Sequence, residues 1–340
     1  MPEILTVDAF DDAAVDAWWD AYAAARRADM GEHALVWTRE ESRAELQQPS
    51  ATTKRTAYVA MDRGAVVGSG SLALSLKDNL HSAALGVNVP PQHRRQGVGT
   101  ALLTHIEAEA VAAGRTTMRV DILWPASAPA DGAGQPNREF ARRHGYEIAI
   151  GDLQNRLELP VPDGVIDDLR AGTPESDGYE LHSWRGAVPE HFVAEWAALD
   201  AVLDTEAPTG ELDIEAASGD VDDVRAHEEL LVRQNRTSFG TVAVAPDGGV
   251  AAYTQLVVSG DDGNAYQWGT LVRREDRGHR LGMRVKLANL WMLQRESPQT
   301  PRIYTFNAES NAHMLAVNTR LGFIPTARLA ELQKRVATSL

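Results

Sequence analysis

The stretch Val87-Asn-Val-Pro-Pro-Gln-His-Arg-Arg-Gln-Gly-Val-Gly-Thr-Ala-Leu-Leu103 decides how this chain is read. Ala83 to Val89 has the pattern of a strand, Arg94 to Thr100 that of a tight glycine-bearing loop, and about Gly97 to Ala113 that of a helix stopped at Gly114. The first amides of a helix have no partner within it, and the helix dipole adds positive potential. An anionic phosphate is therefore the natural occupant of such a junction. Gly97 and Gly99 carry no Cβ, which lets a pyrophosphate approach the main chain, and Arg94 and Arg95 add charge at the rim. Two better-known phosphate loops do not fit. The dinucleotide fingerprint needs a glycine where Leu102 stands, and the Walker pattern needs a Gly-Lys-Ser/Thr that is absent.

Upstream of the loop, Asp11 to Asp29 carries Val15, Trp18, Trp19, Tyr22 and Ala25 at helical spacing, with Asp11 or Asp12 able to cap. Core packing is the favoured role for Trp18 and Trp19 over lining an acceptor pocket. A second, acidic helix is predicted near Thr38 to Gln48, then a hairpin of Arg55 to Met61 and Ala65 to Leu74 about Asp62-Arg63-Gly64. Downstream lie a strand at Thr116 to Leu123, a flexible loop at Pro125 to Pro136, a short helix at Asn137 to His144, and strands near Glu147 to Ile150 and Gln154 to Leu159. Pro160 to Gly178 is polar and turn-forming, the best linker. Beyond it the order recurs. Arg94 reappears as Arg277 and Gly145 as Gly322, offsets of 183 and 177 residues, which a duplicated domain explains. The expected division is residues 1–160, a linker at 161–178, and residues 179–340.

At 340 residues the chain suits two ordinary domains. No apolar run is long enough to span a bilayer, and Met1-Pro-Glu-Ile-Leu lacks the features of a signal peptide, so no membrane partner and a cytoplasmic location are expected. The absence of cysteine excludes disulfides, thiolate metal sites and a cysteine nucleophile, and no metal is expected. A net charge of −15 argues against nucleic acid and suits a cationic acceptor, although a generally acidic surface explains it equally well.

The motifs together resemble a tandem GNAT protein, two acyltransferase folds in one chain. In the first half the resemblance rests on Val87-Asn-Val89, Arg94-x-x-Gly97-x-Gly99-Thr100 and His144-Gly145-Tyr146. In the second it rests on Leu271-Val272, Arg277-Gly-His-Arg-Leu-Gly282 and the run from Asn307 through Asn311 and Asn318 to Gly322-Phe323. The resemblance implies an α/β (α+β) chain whose two folds each have a mixed, mostly antiparallel sheet with helices on both faces. It also implies acetyl-CoA as co-substrate, direct transfer to the primary amine of a small molecule, and a monomer or homodimer. Arg94, Arg95, Gln96, Gly97, Val98, Gly99 and Thr100 would hold the pyrophosphate, and the main chain of Val87 and Val89 the pantetheine. In the second half Leu271, Val272, Arg277, Gly278, His279, Arg280, Gly282, Asn307 and Asn311 would correspond.

Departures from the family pattern matter. The tyrosine that many members place four residues before the later glycine is Ala141 in one half and Asn318 in the other, and neither pre-loop strand carries a glutamate. Asp121, Tyr266 and Tyr304 are the substitutes within reach of a cleft, each with a structural role as the competing reading. Arg280 stands where the second loop's first glycine should be, and charge alone does not decide whether it blocks phosphate or binds it. Two alternatives remain: a catalytically degenerate acyl-CoA-binding or interaction protein, and an acetyltransferase of the mycothiol-synthase type with the roles of the halves reversed.

Overall fold

The computed structural model of the chain describes residues 2–173 and 178–336. In chain order the elements are β1 (Glu3–Thr6), α1 (Asp12–Met30), α2 (Arg39–Gln47), β2 (Thr53–Asp62), β3 (Ala65–Ser75), β4 (Ser82–Asn88), α3 (Val98–Ala112), β5 (Thr117–Pro125), α4 (Pro136–Arg143) and β6 (Glu147–Glu158). There follow α5 (Asp163–Ala171), β7 (Glu180–Arg185), α6 (Glu190–Ala201), α7 (Leu203–Glu206), α8 (Val221–Arg233), β8 (Arg236–Val244), β9 (Val250–Ser259), β10 (Ala265–Val272), α9 (Leu281–Glu296), β11 (Arg302–Ala308), α10 (Ala312–Leu321) and β12 (Ile324–Arg335).

Contacts divide the chain into two compact units that interleave in sequence. One holds Met1–Asp152, Thr209–Glu215 and Thr326–Leu340; the other holds Leu153–Pro208 and Ala216–Pro325. In the first, β1, β2, β3 and β4 pair antiparallel in order, and β5 joins β4 in parallel. Leu72, Leu74 and Leu85 pack one face of this sheet against Leu102, Leu103 and Ile106 of α3. Val15 and Trp18 of α1 cover Ala57 and Val59 on the other face. Asp11, one of the two expected caps, accepts from the amides of Ala13 and Ala14, and Thr38 with Glu41 closes a capping box on α2. Trp18 is a core residue whose indole N–H donates to the Gly70 carbonyl.

The second unit repeats the plan. β7, β8, β9 and β10 pair antiparallel in order, and β11 joins β10 in parallel. α9 packs across this sheet as α3 does in the first unit, with Met283, Leu287 and Leu290 in its core.

Three features depart from the sequence reading. The strands expected at Glu147 to Ile150 and Gln154 to Leu159 are one strand, β6, because Gly151-Asp152 continues extended instead of turning. The expected linker contains α5, which buries Ile166, and its residues 174–177 lie outside the described residues. Last, the C-terminal strand β12 belongs to the first unit and pairs antiparallel with β5 from Ala327↔Pro125 to Arg335↔Thr117. The compact units therefore differ from a division at 161–178, since burying Ala327, Ala330 and Leu332 beside β5 joins the two ends of the chain in one core.

Candidate functional site

The loop after β4 is built by backbone conformation. Arg95 and Gly97 both take positive φ, 62° and 82°, and Gly97 caps α3 in the left-handed region. This turns the loop so that the first amides of α3 face outward, with Arg95, Gln96 and Gly97 exposed. A Cβ on Gly97 would meet nothing within 4 Å, so the space above it is open. Gly99 acts differently, for a Cβ there would lie 3.3 Å from Phe140, and its bareness lets α4 pack against α3. Thr100 Oγ1 is 3.3 Å from His144 Nε2 at the end of α4, and burial is the main reason the His144 pKa is lowered. Arg94 is no free rim charge. Its Nε donates to the Val89 carbonyl at 2.8 Å and its Nη1 to Asp29 at 2.7 Å, which pins the loop to the strand end.

Beside this loop the sheet forks. β4 and β5 pair only from Ser82↔Thr117 to Leu85↔Val120, although β4 continues to Asn88 and β5 to Pro125. The β5-facing main chain of Gly86 to Asn88 thus has no strand partner, and the side chains of Val87 and Val89 pack on the α3 core.

Alternation along β5 sends Met118, Val120, Ile122 and Trp124 to the α3 face, so Arg119 and Asp121 point to the α1 face. Ala330 and Leu332 also face α3, which sets Glu331 directly opposite Asp121 across the β5–β12 pair. Arg119 Nη2 donates to Glu331 Oε2 at 2.9 Å. Asp121 is exposed at its surface yet closely ringed by protein atoms. Desolvation first, and Glu331 second, push its carboxyl up to about 6, against the opposing pull of Arg119 and Arg26. The α1 face of the sheet here is floored by Ser71, Ala73, Ala84 and Gly86, none of them buried. Small side chains keep that floor low.

The other candidates lie in the second unit. Arg277 repeats Arg94: its Nε donates to the Val272 carbonyl at 3.4 Å and its Nη2 to Glu206 at 2.8 Å, and Leu271 and Val272 end β10 as Val87 and Asn88 end β4. Gly278 and Arg280 take the two positive φ values, 93° and 57°. Here the resemblance stops. Arg280 donates through Nη1 to the carbonyl of Gly172, the C-cap of α5, at 3.0 Å. α5 lies along α9, and the Val161 amide and carbonyl bond to Gln294. The whole first turn of α9, Leu281 to Arg284 with Gly282 inside it, is buried, whereas Thr100 in the equivalent turn of α3 is exposed. A helix C-terminal carbonyl thus meets the Arg280 guanidinium where phosphate would arrive. His279 remains exposed, its ring 5.2 Å from that of Tyr179.

Asn311 caps α10 by accepting from the Met314 amide, and Asn307 accepts from Asn318 Nδ2 at 2.5 Å. Asn318 in turn accepts from buried Lys286 Nζ at 3.1 Å, and burial pushes that amine down to about 7. The position of the family tyrosine is therefore filled by a closed polar chain. Tyr266 and Tyr304 face each other in the paired part of β10 and β11, before the strands part; Tyr266 donates to Asp262 and Tyr304 is buried. The structure does not bring them to the fork.

Sequence reasoning missed Glu331, Arg26 and Lys286. Glu331 and Arg26 reach Asp121 through strand pairing and helix packing that leave no local mark. Lys286 carried a signal, a lysine on the apolar side of a predicted helix. Among the described residues no group of three His, Asp or Glu is placed to hold a metal ion, and no helix is long and apolar enough to cross a membrane.

Comparison with known proteins agrees with this geometry. Residues 53–148 match the family model described as an acetyltransferase (GNAT) domain. A stretch of 189 residues is 33% identical to a mycothiol acetyltransferase of Geodermatophilus obscurus, covering 56% of this chain and 54% of that protein, so the aligned part spans about half of the curated relative. The solved structure of a tandem GNAT protein from the clavulanic acid biosynthesis pathway is similar over 100% of both chains, with TM-score 0.81 and 28% identity. A GCN5-related N-acetyltransferase from Sphaerobacter thermophilus shares the fold over 99% of this chain and 98% of its own, with TM-score 0.65 and 16% identity.

Proposed function

Because the chain belongs to the GNAT acetyltransferases and carries two such folds in tandem, we propose that its first unit transfers an acyl group, acetyl in the simplest case, from acyl-CoA to the amine of a small molecule. The observation that carries this reading is the contrast between the two loops. Around Gly97 the helix start is exposed beside an open strand fork; at Arg280, itself exposed, the guanidinium is held on the C-cap carbonyl of α5 and the turn that follows is buried. Acyl-CoA would lay its pyrophosphate on the amides of residues 95 to 100 and its pantetheine in the fork between β4 and β5. The acceptor would enter over the small-residue floor on the α1 face.

In this reading Asp121 takes one proton from the acceptor ammonium. The amine nitrogen then attacks the thioester carbonyl, the C–S bond breaks as the amide forms, and the second N–H proton leaves with the thiolate to give free CoA thiol. A carboxylate with a pKa near 6 remains ionised at neutral pH and is more basic than an ordinary one, which suits proton abstraction. Positioning of amine and thioester supplies most of the rest.

A second reading, an acyl-CoA-binding protein without catalysis, draws on Ala141 and Asn318 standing where many relatives carry an acid. The mycothiol-type reading with a catalytic second half is disfavoured by the covered start of α9. Calorimetric titration with acetyl-CoA of the whole protein and of Gly97→Asp tests the assignment. One site, lost in the variant, is the expected result. A site that survives the substitution, or no site in the wild type, would overturn it.

A further inference from the structure

On its α1 face the sheet of the first unit is left uncovered in the middle. Ala84 is exposed although β4 is paired on both sides, with Ala73 of β3 and Arg119 of β5 as its register partners. An exposed residue at the centre of a sheet marks a trough in the layer above it. One end of this trough meets the strand fork and Asp121. Towards the other end runs Thr209–Glu215, a segment outside helices and strands that comes from the second half of the sequence yet belongs to this unit. Its main chain is tied down at every second residue. The Glu211 amide donates to the Ala149 carbonyl of β6 at 2.9 Å. Gln333 of β12 donates through Nε2 to the Glu211 carbonyl at 2.6 Å and accepts at Oε1 from the Asp213 amide at 3.2 Å. His81 Nε2 lies 3.2 Å from the Asp213 carbonyl, and Arg335 pairs with the Asp213 carboxylate at 3.2 Å. Asn79 closes the clasp: its Oδ1 accepts from the Glu215 amide at 2.8 Å and its Nδ2 donates to the Glu215 carbonyl at 3.2 Å. Where the segment leaves β6, Gly210 has φ 56° and a Cβ there would collide with the Ala149 carbonyl.

The strap lies on the same face as Asp121. Lys334 bonds Glu107 of α3, so its neighbours Gln333 and Arg335 point to the α1 face, as Glu331 does. Gln333 pairs with Arg119 and Glu331 with Asp121, so the strap is held on β12 two residues, or about 7 Å, from the level of Asp121. On the β4 side it is held at His81, five residues, or roughly 16 Å, from Gly86 at the start of the fork. We propose that this strap is the end wall of the acceptor site, so that a segment from the second half of the chain sets the length of amine that the first unit acylates. The assignment rests on the reading that the first unit is the transferase, and it adds an element that selects the acceptor. The amine lies at Asp121, and its body runs along Ser71, Ala73, Ala84 and Gly86, a floor without charged side chains. The acceptor is therefore a compact primary amine with an uncharged body. One much longer than the trough meets the strap, which cannot yield without breaking its bonds to Gln333 and Asn79.

The test compares the whole protein with Asn79→Gly/Gln333→Leu. Asn79 sits at φ 53°, which glycine adopts without strain, and leucine at 333 keeps the strand, so the double variant removes the side-chain bonds to the strap and little else. Thiol release from acetyl-CoA is followed on ω-hydroxyalkylamines from ethanolamine to aminodecanol, and the protein contributes no thiol because it lacks cysteine. In the wild type kcat/KM should fall by at least about tenfold once the amine outgrows the trough, the scale of a misfit of one or two methylenes. In the double variant that break should move to longer amines through KM, with the acetyl-CoA Kd unchanged and faster hydrogen exchange at the Asp213 and Glu215 amides. A purely structural clasp would give the faster exchange and a lower melting temperature with the length profile unmoved. Each single variant, which keeps half of these ties, should move the break by less. A wild-type profile without a break, or the same break in every variant, overturns the strap's role while leaving the transferase assignment standing. Acetyl-CoA binding with no turnover of any amine overturns the transferase assignment, and the strap's role with it.

Discussion

Replacing Asp121 by Asn should raise stability and lower activity, and both effects should follow pH in a defined way. Desolvation and the facing Glu331 carry the Asp121 carboxyl from its ordinary 3.8 to about 6, so the folded state holds this proton more tightly than the unfolded chain does. The charged form is the penalised one. The penalty is absent below about 3.8, grows between about 3.8 and 6, and is fully present above. Taken at face value the displacement is ~3 kcal/mol; Asp121 is open to solvent on one side, and screening reduces this to ~1 kcal/mol. Asp121→Asn should therefore unfold about 2–4 °C higher at pH 8, a shift appropriate to a unit of this size, and show no gain at pH 4. In the acylation assay the wild-type kcat/KM should fall as pH drops through about 6, while the variant should lose ~100-fold at pH 8 and lack that limb. Equal or lower stability of Asp121→Asn at pH 8 would refute the electrostatic account of the groove. Unchanged kcat/KM would refute the role as base.

Two further predictions concern the second unit. Lys286 is buried with its amine pushed down from 10.5 to about 7, so the wild type should gain stability as pH rises from about 7 toward 10.5. Lys286→Met should stabilise the protein by ~2 kcal/mol at pH 6 after allowance for the Asn318 carbonyl it leaves unbonded, with the gain gone above pH 10.5; thermal melts across that range would read it. Arg280→Gly should change stability by less than ~1 kcal/mol, because relief of the left-handed conformation offsets the lost bond to Gly172. It should create no additional acetyl-CoA site in calorimetry, because the first turn of α9 stays covered; a new site would show that Arg280 alone closes the loop.

The loop and its flanking strand and helix were legible because their signals are local. Positive-φ glycines, a strand running into a helix start, and apolar spacing along Val98 to Val111 are set by residues within one or two turns of each other. The duplication was legible for the same reason, since Arg94 and Arg277 recur with the same neighbours and make the same bond to the carbonyl five residues back. What lies between distant segments was not. From Ala327 on, β12 is built from Ala, Arg, Leu, Glu, Gln and Lys, residues that favour helix in isolation, and it becomes a strand because β5 offers an unpaired edge and a core to fill. The sequence by itself determined the two loop-and-fork frameworks and the missing tyrosine. Only tertiary structure decided that the first turn of one helix lies open while that of the other is buried with Arg280 held on α5, and that Glu331 and Arg26 act on Asp121. Burial and charge proximity depend on which surfaces meet, and no local pattern encodes that.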